Sequence, residues 1–502
     1  MVFSSVIFLC IFLPAVLLVY FVLPKKARNC WLLVASLAFY ACGGPKHLIY
    51  LISSIIINFL FGIAIAKLSD NTHPADERGQ STFHSAAQKT VLATAVILNI
   101  GSLIYFKYTG MIIDAFSAVS HKTVSIPEII LPIGISFYTF QCMSYIIDVY
   151  RTEGAILPDG TVNTVYTKDP VKFALYIAMF PQLLQGPIIR YSDVNSALEI
   201  PVITFDSFAK GIERFIIGLA KKAIIANTIG EVCDRIFAID PANMSAAVAW
   251  LGAVMYTLQI YFDFSGYTDM AIGLGKLFGF TFRENFNYPY ISKSVTEFWR
   301  RWHISLSNWF RDYLYIPLGG NRRGNVYLNL LIVFLATGIW HGAAFGFIVW
   351  GLWHGLFMLI ERALKGRIML PFVPAPVKSF FGWLYTILAV TVGWVVFKIE
   401  EIGPAMSYIS AMLGQQAKEY NAYSATFFLD RRMAFFLIVA ILACIPWASM
   451  LPQKAGSAIA AFADSNRPSY RISRHVILLL MFVICFIFIV NTTYSPFIYF
   501  QF

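Results

Sequence analysis

Apolar runs of membrane-spanning length recur along the whole chain, and a chain built that way has few folds open to it. About 20 apolar residues carry one helix across the hydrocarbon core. Runs near that length are Phe3–Val22, Leu48–Ala66, Val91–Phe106, Ile129–Ile147, Phe208–Ile229 and Ala247–Phe262. Further runs are Val326–Trp340, Phe345–Ile360, Phe380–Phe397, Met433–Met450 and Val476–Val490. Trp31–Ala41 is too short to span comfortably and reads as a half-helix or a tilted partner of its neighbour. The expected fold is an all-α polytopic membrane protein with about 11 transmembrane helices plus re-entrant or interfacial helices.

Composition agrees. Only 13% of the 502 residues are charged and 58% are hydrophobic, against roughly 25% charged in soluble domains. The formal charge of +11 does not point to nucleic acid, because the basic residues cluster in short loops between apolar runs. The positive-inside rule accounts for that placement, and a nucleic-acid footprint needs a folded soluble surface. The seven cysteines are scattered, with no CxxC pair and no metal-ligand spacing. Cys10, Cys444 and Cys485 lie within apolar runs and read as inert, buried small hydrophobes. Phe3–Val22 has no basic residues before it, and Lys25, Lys26 and Arg28 follow it. It therefore reads as a retained span, with Met1 outside and the first loop cytoplasmic.

Polar stretches punctuate the runs. Lys67–Lys89 reads as an aqueous loop, and Tyr150–Val171 as turns or a small hairpin. Pro452–His475, with Lys454, Arg467, Arg471 and Arg474, reads as cytoplasmic by charge. The absence of an internal repeat argues against an inverted-repeat transporter. The expectation is one integral membrane domain over 1–502 with a catalytic core near 170–360. Two regions do not fit simple spans: Phe173–Tyr191, interrupted by Pro181, Gly186 and Pro187, and Ser294–Asn321, rich in Trp and Arg. Irregular or charged backbone at membrane depth is tolerated where it is buried in protein or lines a watery cavity, so these are the expected walls of a site.

The densest constellation runs from Glu297 to Asp312. On one helix, Trp299, Trp302 and His303 would share a face by i, i+3 and i, i+4 spacing, with Arg300 and Arg311 extending its polar character. Such a segment suits an interfacial amphipathic helix or the binding of an anionic cofactor by Arg forks. A second constellation places His341 in strongly apolar sequence beside Trp340, Gly338, Gly342 and Ala343, followed by His354. An ionisable residue inside a span is a functional hypothesis by default, and a neutral imidazole in low dielectric can act as a general base. The alternative is a packing histidine bonded to a neighbouring helix, and that reading weighs more heavily for His354. Asp263 and Asp269, also in apolar surroundings, need partners, for which an Arg of the Trp/Arg cluster is the expected source. No GxSxG elbow, HExxH pair or Walker-type loop is present. A base that deprotonates an incoming hydroxyl needs no nucleophilic Ser or Cys beside it.

These segments resemble a known family. FWRRWHISLSNWFRDYLYIPLGGNRRG (298–324), GIWHG (338–342), DFSGYTDMAIG (263–273), NFNYPY (285–290) and FPQLLQGPIIRY (180–191) look like membrane-bound O-acyltransferases. The bacterial branch of the alginate O-acetyltransferase membrane subunit is the most similar, and the opening MVFSS and closing FIYFQF fit it. The resemblance implies a compact multi-helix fold with a central funnel. It makes His341 the catalytic histidine and His303 its assisting residue. Trp299, Arg301, Trp302, Trp340 and Asn308 become candidates for substrate binding. It further implies no bound cofactor and no metal, with acetyl-CoA as a cytoplasmic acyl-donor substrate. The acceptor is an exported polysaccharide, and an SGNH-hydrolase-like periplasmic or extracellular partner completes the transfer. The location it implies is the inner (plasma) membrane, in contact with lipid. Competing readings are D-alanyl transfer to teichoic acid, a polysaccharide or lipid transporter, and an inactive scaffold. Intramembrane polarity concentrated in 260–345 disfavours a transporter, and retention of both His303 and His341 disfavours a scaffold.

Overall fold

The computed structural model describes residues 1–69, 75–76, 79–81, 83–122, 129–157, 164–364, 374–415, 423–447, 468–492 and 494, with side chains omitted for 468–471. The described residues are helical, without a strand beyond one isolated bridge between Ala75 and Ser81. The chain is thus an all-α polytopic protein. Among the described residues, 6 helices are long and apolar enough to cross a membrane: Pro45–Lys67, Ala86–Ser120, Ala246–Leu277, Phe345–Leu364, Ala375–Ile399 and Ile472–Asn491. Phe8–Val22 and Val326–His341 are shorter apolar helices.

Several expected spans take another form. Ile135–Thr152, from the run at Ile129–Ile147, is buried along almost its whole length, including Gln141, Ser136 and Thr139. Met433–Met450 yields the 13-residue helix Arg431–Ala443, about 20 Å at 1.5 Å per residue and short of the roughly 30 Å core. Trp31–Ala41 belongs to the 17-residue helix Lys25–Ala41, so Lys25 and Lys26 occupy a first helical turn rather than a loop. Of the three cysteines expected to be buried, Cys444 and Cys485 are, whereas Cys10 is exposed. Pro452–Arg467, part of Lys67–Lys89 and of Tyr150–Val171, and the closing FIYFQF lie outside the described residues.

The chain forms two compact units, one of Met1–Ile212 with Ala271–Arg283, the other of Glu213–Met270 with Glu284–Gln501. In the first, Phe3, Phe8, Phe12, Phe39 and Phe180 pack ring on ring, with neighbouring centroids 5.0–6.4 Å apart. Asn58 and Asn99 join the helices Pro45–Lys67 and Ala86–Leu103 by reciprocal amide hydrogen bonds of 2.7 and 3.3 Å. This satisfies polar groups that would be costly in an apolar setting. The interrupted segment breaks as expected, into Pro170–Ala178, Phe180–Leu183 and Tyr191–Glu199. Its irregular backbone is buried in protein.

In the second unit two helix pairs pack through glycine. A Cβ on Gly218 would stand 2.6 Å from the Gly266 carbonyl oxygen, and one on Gly266 2.8 Å from that of Gly218. Val326–His341 and Phe345–Leu364 form an antiparallel hairpin joined by Gly342–Ala344. A Cβ on Gly351 would meet Gly338 Cα at 3.0 Å, and one on Gly338 the Phe347 carbonyl at 2.5 Å. Such close backbone approach is what small residues permit in membrane helices.

Candidate active site

The Trp/Arg segment does not form the single helix that its spacing suggests. Val295–Arg301 is a short helix, Ile304–Phe310 is another, and His303 lies between them at φ +42. A non-glycine residue in the left-handed region persists only where its surroundings enforce it. Here Asn285 does so: its carbonyl accepts the Ile304 N–H at 2.9 Å, and its amide oxygen accepts the Ser305 N–H at 3.0 Å and the Ser305 hydroxyl at 2.9 Å. The first helix is anchored at its other end. The Glu361 carboxylate accepts the N–H of Val295 at 2.5 Å, and the N–H and hydroxyl of Thr296 at 2.9 and 2.6 Å. Ser294 accepts the Glu297 N–H at 3.0 Å. The free donors of a first helical turn are thereby taken up.

His303 is 1% exposed, and burial pushes its imidazole down to about 3, which keeps it neutral. Phe264 meets it edge-on at 4.8 Å, and the Trp340 indole lies 6.1 Å away. The other face of the cluster belongs to His341, the last residue of its helix and 3% exposed. Its ring centroid stands 4.9 Å from Trp340, 4.8 Å from Trp350 and 5.3 Å from Phe397. Trp340 therefore touches both imidazoles. Trp302 stacks on Phe298 and packs on Trp394. His354 is fully buried against Phe298, Trp299, Trp350 and Trp394, and neither ring nitrogen has a hydrogen-bond partner among the described residues.

Beside this cluster is a cavity of about 1060 Å³. Its wall includes Trp299, Arg300, Ser307, Asn308, Arg311, Thr337, Glu361 and Arg362. Thr337 lies one helical turn before His341, and Trp299 packs on Trp350 at 5.7 Å, which in turn packs on His341. Among the sequence candidates, Trp299 and Asn308 line the cavity, and Trp302 and Trp340 form the aromatic cluster around the two histidines. Arg301 is not in the lining. It binds Glu297 at 2.9 Å and the Asn287 carbonyl at 3.2 Å, and Arg300 takes the cavity position. Sequence reasoning missed Asn285, Glu361 and Arg362. The first was visible only as part of the NFNYPY segment, and the other two as the ordinary polar end of an apolar run.

The buried aspartates correct another expectation: neither pairs with the Trp/Arg cluster. Asp263 binds Lys222, and Asp269 binds Arg214 and Lys221, at 2.7 Å each. The Gly218–Gly266 contact brings these two helices close enough for the pairs to form. Both lysines stand at the start of a π-helical turn, Lys221–Ala226.

The sequence profile of the membrane-bound O-acyltransferase family matches residues 161–399, a span that holds every residue of the site from Asp263 to Phe397. The chain is 39% identical to a Pseudomonas putida protein named probable alginate O-acetylase, in an alignment covering 100% of both chains. It is 33% identical to the peptidoglycan O-acetyltransferase of Helicobacter pylori, over 82% of this chain and 80% of that one. The teichoic acid D-alanyltransferase of Bacillus subtilis is 32% identical over 45% of this chain and 58% of its own. With full-length similarity of this order, the all-helical membrane chain belongs to the membrane-bound O-acyltransferase family and is an O-acyltransferase.

Proposed function

We propose that this enzyme takes an acetyl group from cytoplasmic acetyl-CoA and delivers it for O-acetylation of an exported or cell-wall polysaccharide, an alginate-like glycan first among them. The observation that carries the reading is the convergence of His303 and His341 on Trp340, beside a cavity whose wall bears Arg300, Arg311 and Arg362. The names of two of these relatives, a probable alginate O-acetylase and a peptidoglycan O-acetyltransferase, support acetyl as the group and a glycan as the acceptor.

In this mechanism His341 removes the proton of the acceptor hydroxyl as its oxygen attacks the thioester carbonyl. The tetrahedral oxyanion then collapses, the C–S bond breaks, and the imidazolium returns its proton to the departing thiolate. Polar neighbours, His303 first, orient the base or hold charge as it develops on the carbonyl oxygen. The three arginines suit the phosphates of CoA, since guanidinium forks match phosphate oxygens. The cavity matches the upper end of ligand pockets, roughly 300–1,000 Å³. In this reading the enzyme sits in the inner (plasma) membrane with Met1 outside, and an SGNH-hydrolase-like partner beyond the membrane passes the acetyl group to the glycan.

The donor is tested by offering purified enzyme acetyl-CoA, an acetylated carrier protein and a D-alanylated carrier protein in parallel, with and without a candidate periplasmic partner. Thiol release from acetyl-CoA alone is expected. Turnover restricted to a carrier-bound thioester would replace acetyl-CoA as donor, and turnover restricted to D-alanine would move the protein to the teichoic acid reaction.

A further inference from the structure

Asn285 is wholly buried, and its amide oxygen is the hub of the turn that carries His303. That oxygen accepts the Ser305 N–H at 3.0 Å and hydroxyl at 2.9 Å, and lies 3.2 Å from Nδ1 of His303. A backbone N–H can only donate, so the atom facing Ser305 is the amide oxygen and not the nitrogen. An acceptor-only oxygen beside Nδ1 requires that nitrogen to carry the proton. In a neutral ring Nε2 then holds the lone pair.

We propose that Asn285 is a positioning residue that fixes His303 as the Nδ1–H tautomer, so that the nitrogen His303 offers the site is a hydrogen-bond acceptor. This inference rests on the reading of His303 as a member of the acyl-transfer site, and it decides between the two roles left open for it. A neutral imidazole protonated at Nδ1 cannot donate from Nε2 to an oxyanion. It can hold an N–H or O–H, and so orients the base or the acceptor hydroxyl. The positive φ of His303 has the same origin: the Asn285 amide and carbonyl grip Ser305 and Ile304 and turn the ring toward Phe264 and Trp340.

The charged and titratable groups on the elements around His303 are mostly engaged elsewhere. Asp263, next to Phe264, binds Lys222; Glu284, next to Asn285, binds Arg214; Arg301 binds Glu297. Arg311 binds Asp312, Arg300 lies in the cavity wall, and His341 lies next to Trp340. An anion placed at position 285 would thus act on His303 directly.

The test combines spectroscopy on the unmutated enzyme with one conservative variant. Selective ¹⁵N labelling of the eight histidines, with the His303 signal assigned by its loss in His303→Gln, reads the tautomer directly. A neutral Nδ1–H ring at pH 7 is expected; an Nε2–H ring would overturn the proposal whatever any variant does. Asn285→Asp keeps an acceptor oxygen but adds a charge that favours imidazolium, by about one to three units for an adjacent opposite charge. The acid limb of its turnover profile should move to higher pH by at least about one unit. A purely structural Asn285 would leave that limb in place, and this result would also sink the proposal. If His303→Gln turned over at the unmutated rate, the reading of His303 would fail, while the tautomer measurement would still decide the role of Asn285.

Discussion

At the scale of single residues, burial sets the chemistry. His303 and His341 are enclosed by indole and phenyl rings, and for His303 burial favours neutral imidazole over imidazolium. The same apolar setting makes charge expensive, which explains why Lys222 and Asp263 occur together at 1% and 5% exposure. Removing one partner strands the other, at a cost of about 3–5 kcal/mol. Lys222→Met should therefore lower the melting temperature in detergent sharply, and adding Asp263→Leu should recover much of the loss. A melt of Lys222→Met that matched the unmutated protein would show that the pair is not needed for the fold. The sequence made it plain that these aspartates required partners. It could not identify them, because the lysine lies 41 positions away and the approach depends on two glycines in different helices.

At the scale of elements, the decisive feature is a break. The spacing of Trp299, Trp302 and His303 satisfies helical periodicity, yet the helix stops at Arg301 because tertiary bonds from Asn285 outweigh local pattern. The interruption of Phe173–Tyr191 was legible from its two prolines and glycine, whereas no residue type announces the turn at His303. Glu361 holds the start of the same short helix, and a seven-residue helix has little stability of its own. Glu361→Gln keeps the shape and loses charge-assisted acceptance worth about 1.5–3 kcal/mol at most. It should lower turnover with a smaller loss of thermal stability than Lys222→Met. Turnover of Glu361→Gln equal to that of the unmutated enzyme would mean that this anchor does not position the site.

At the scale of the whole molecule, the recurring apolar runs predicted an all-helical polytopic chain, and the family match bears that out. Among the described residues, fewer helices are long and apolar enough to cross alone than there are apolar runs, since a run says nothing about whether lipid or protein surrounds it. Ile135–Thr152 is the clearest instance. The cavity wall carries a prediction of its own. Arg300→Gln, Arg311→Gln and Arg362→Gln should each raise KM for acetyl-CoA several-fold with kcat changed less, and the KM of the unmutated enzyme should rise with salt. A fall in kcat at constant KM would place the arginines outside donor binding. The central claim is that an acetyl thioester is cleaved by a base at His341, and it is tested most directly by thiol release from acetyl-CoA in purified unmutated enzyme and His341→Ala. The account predicts turnover in the first and a loss of about 10²–10⁴-fold in the second, the usual contribution of a general base. Full turnover in a folded His341→Ala protein would contradict it.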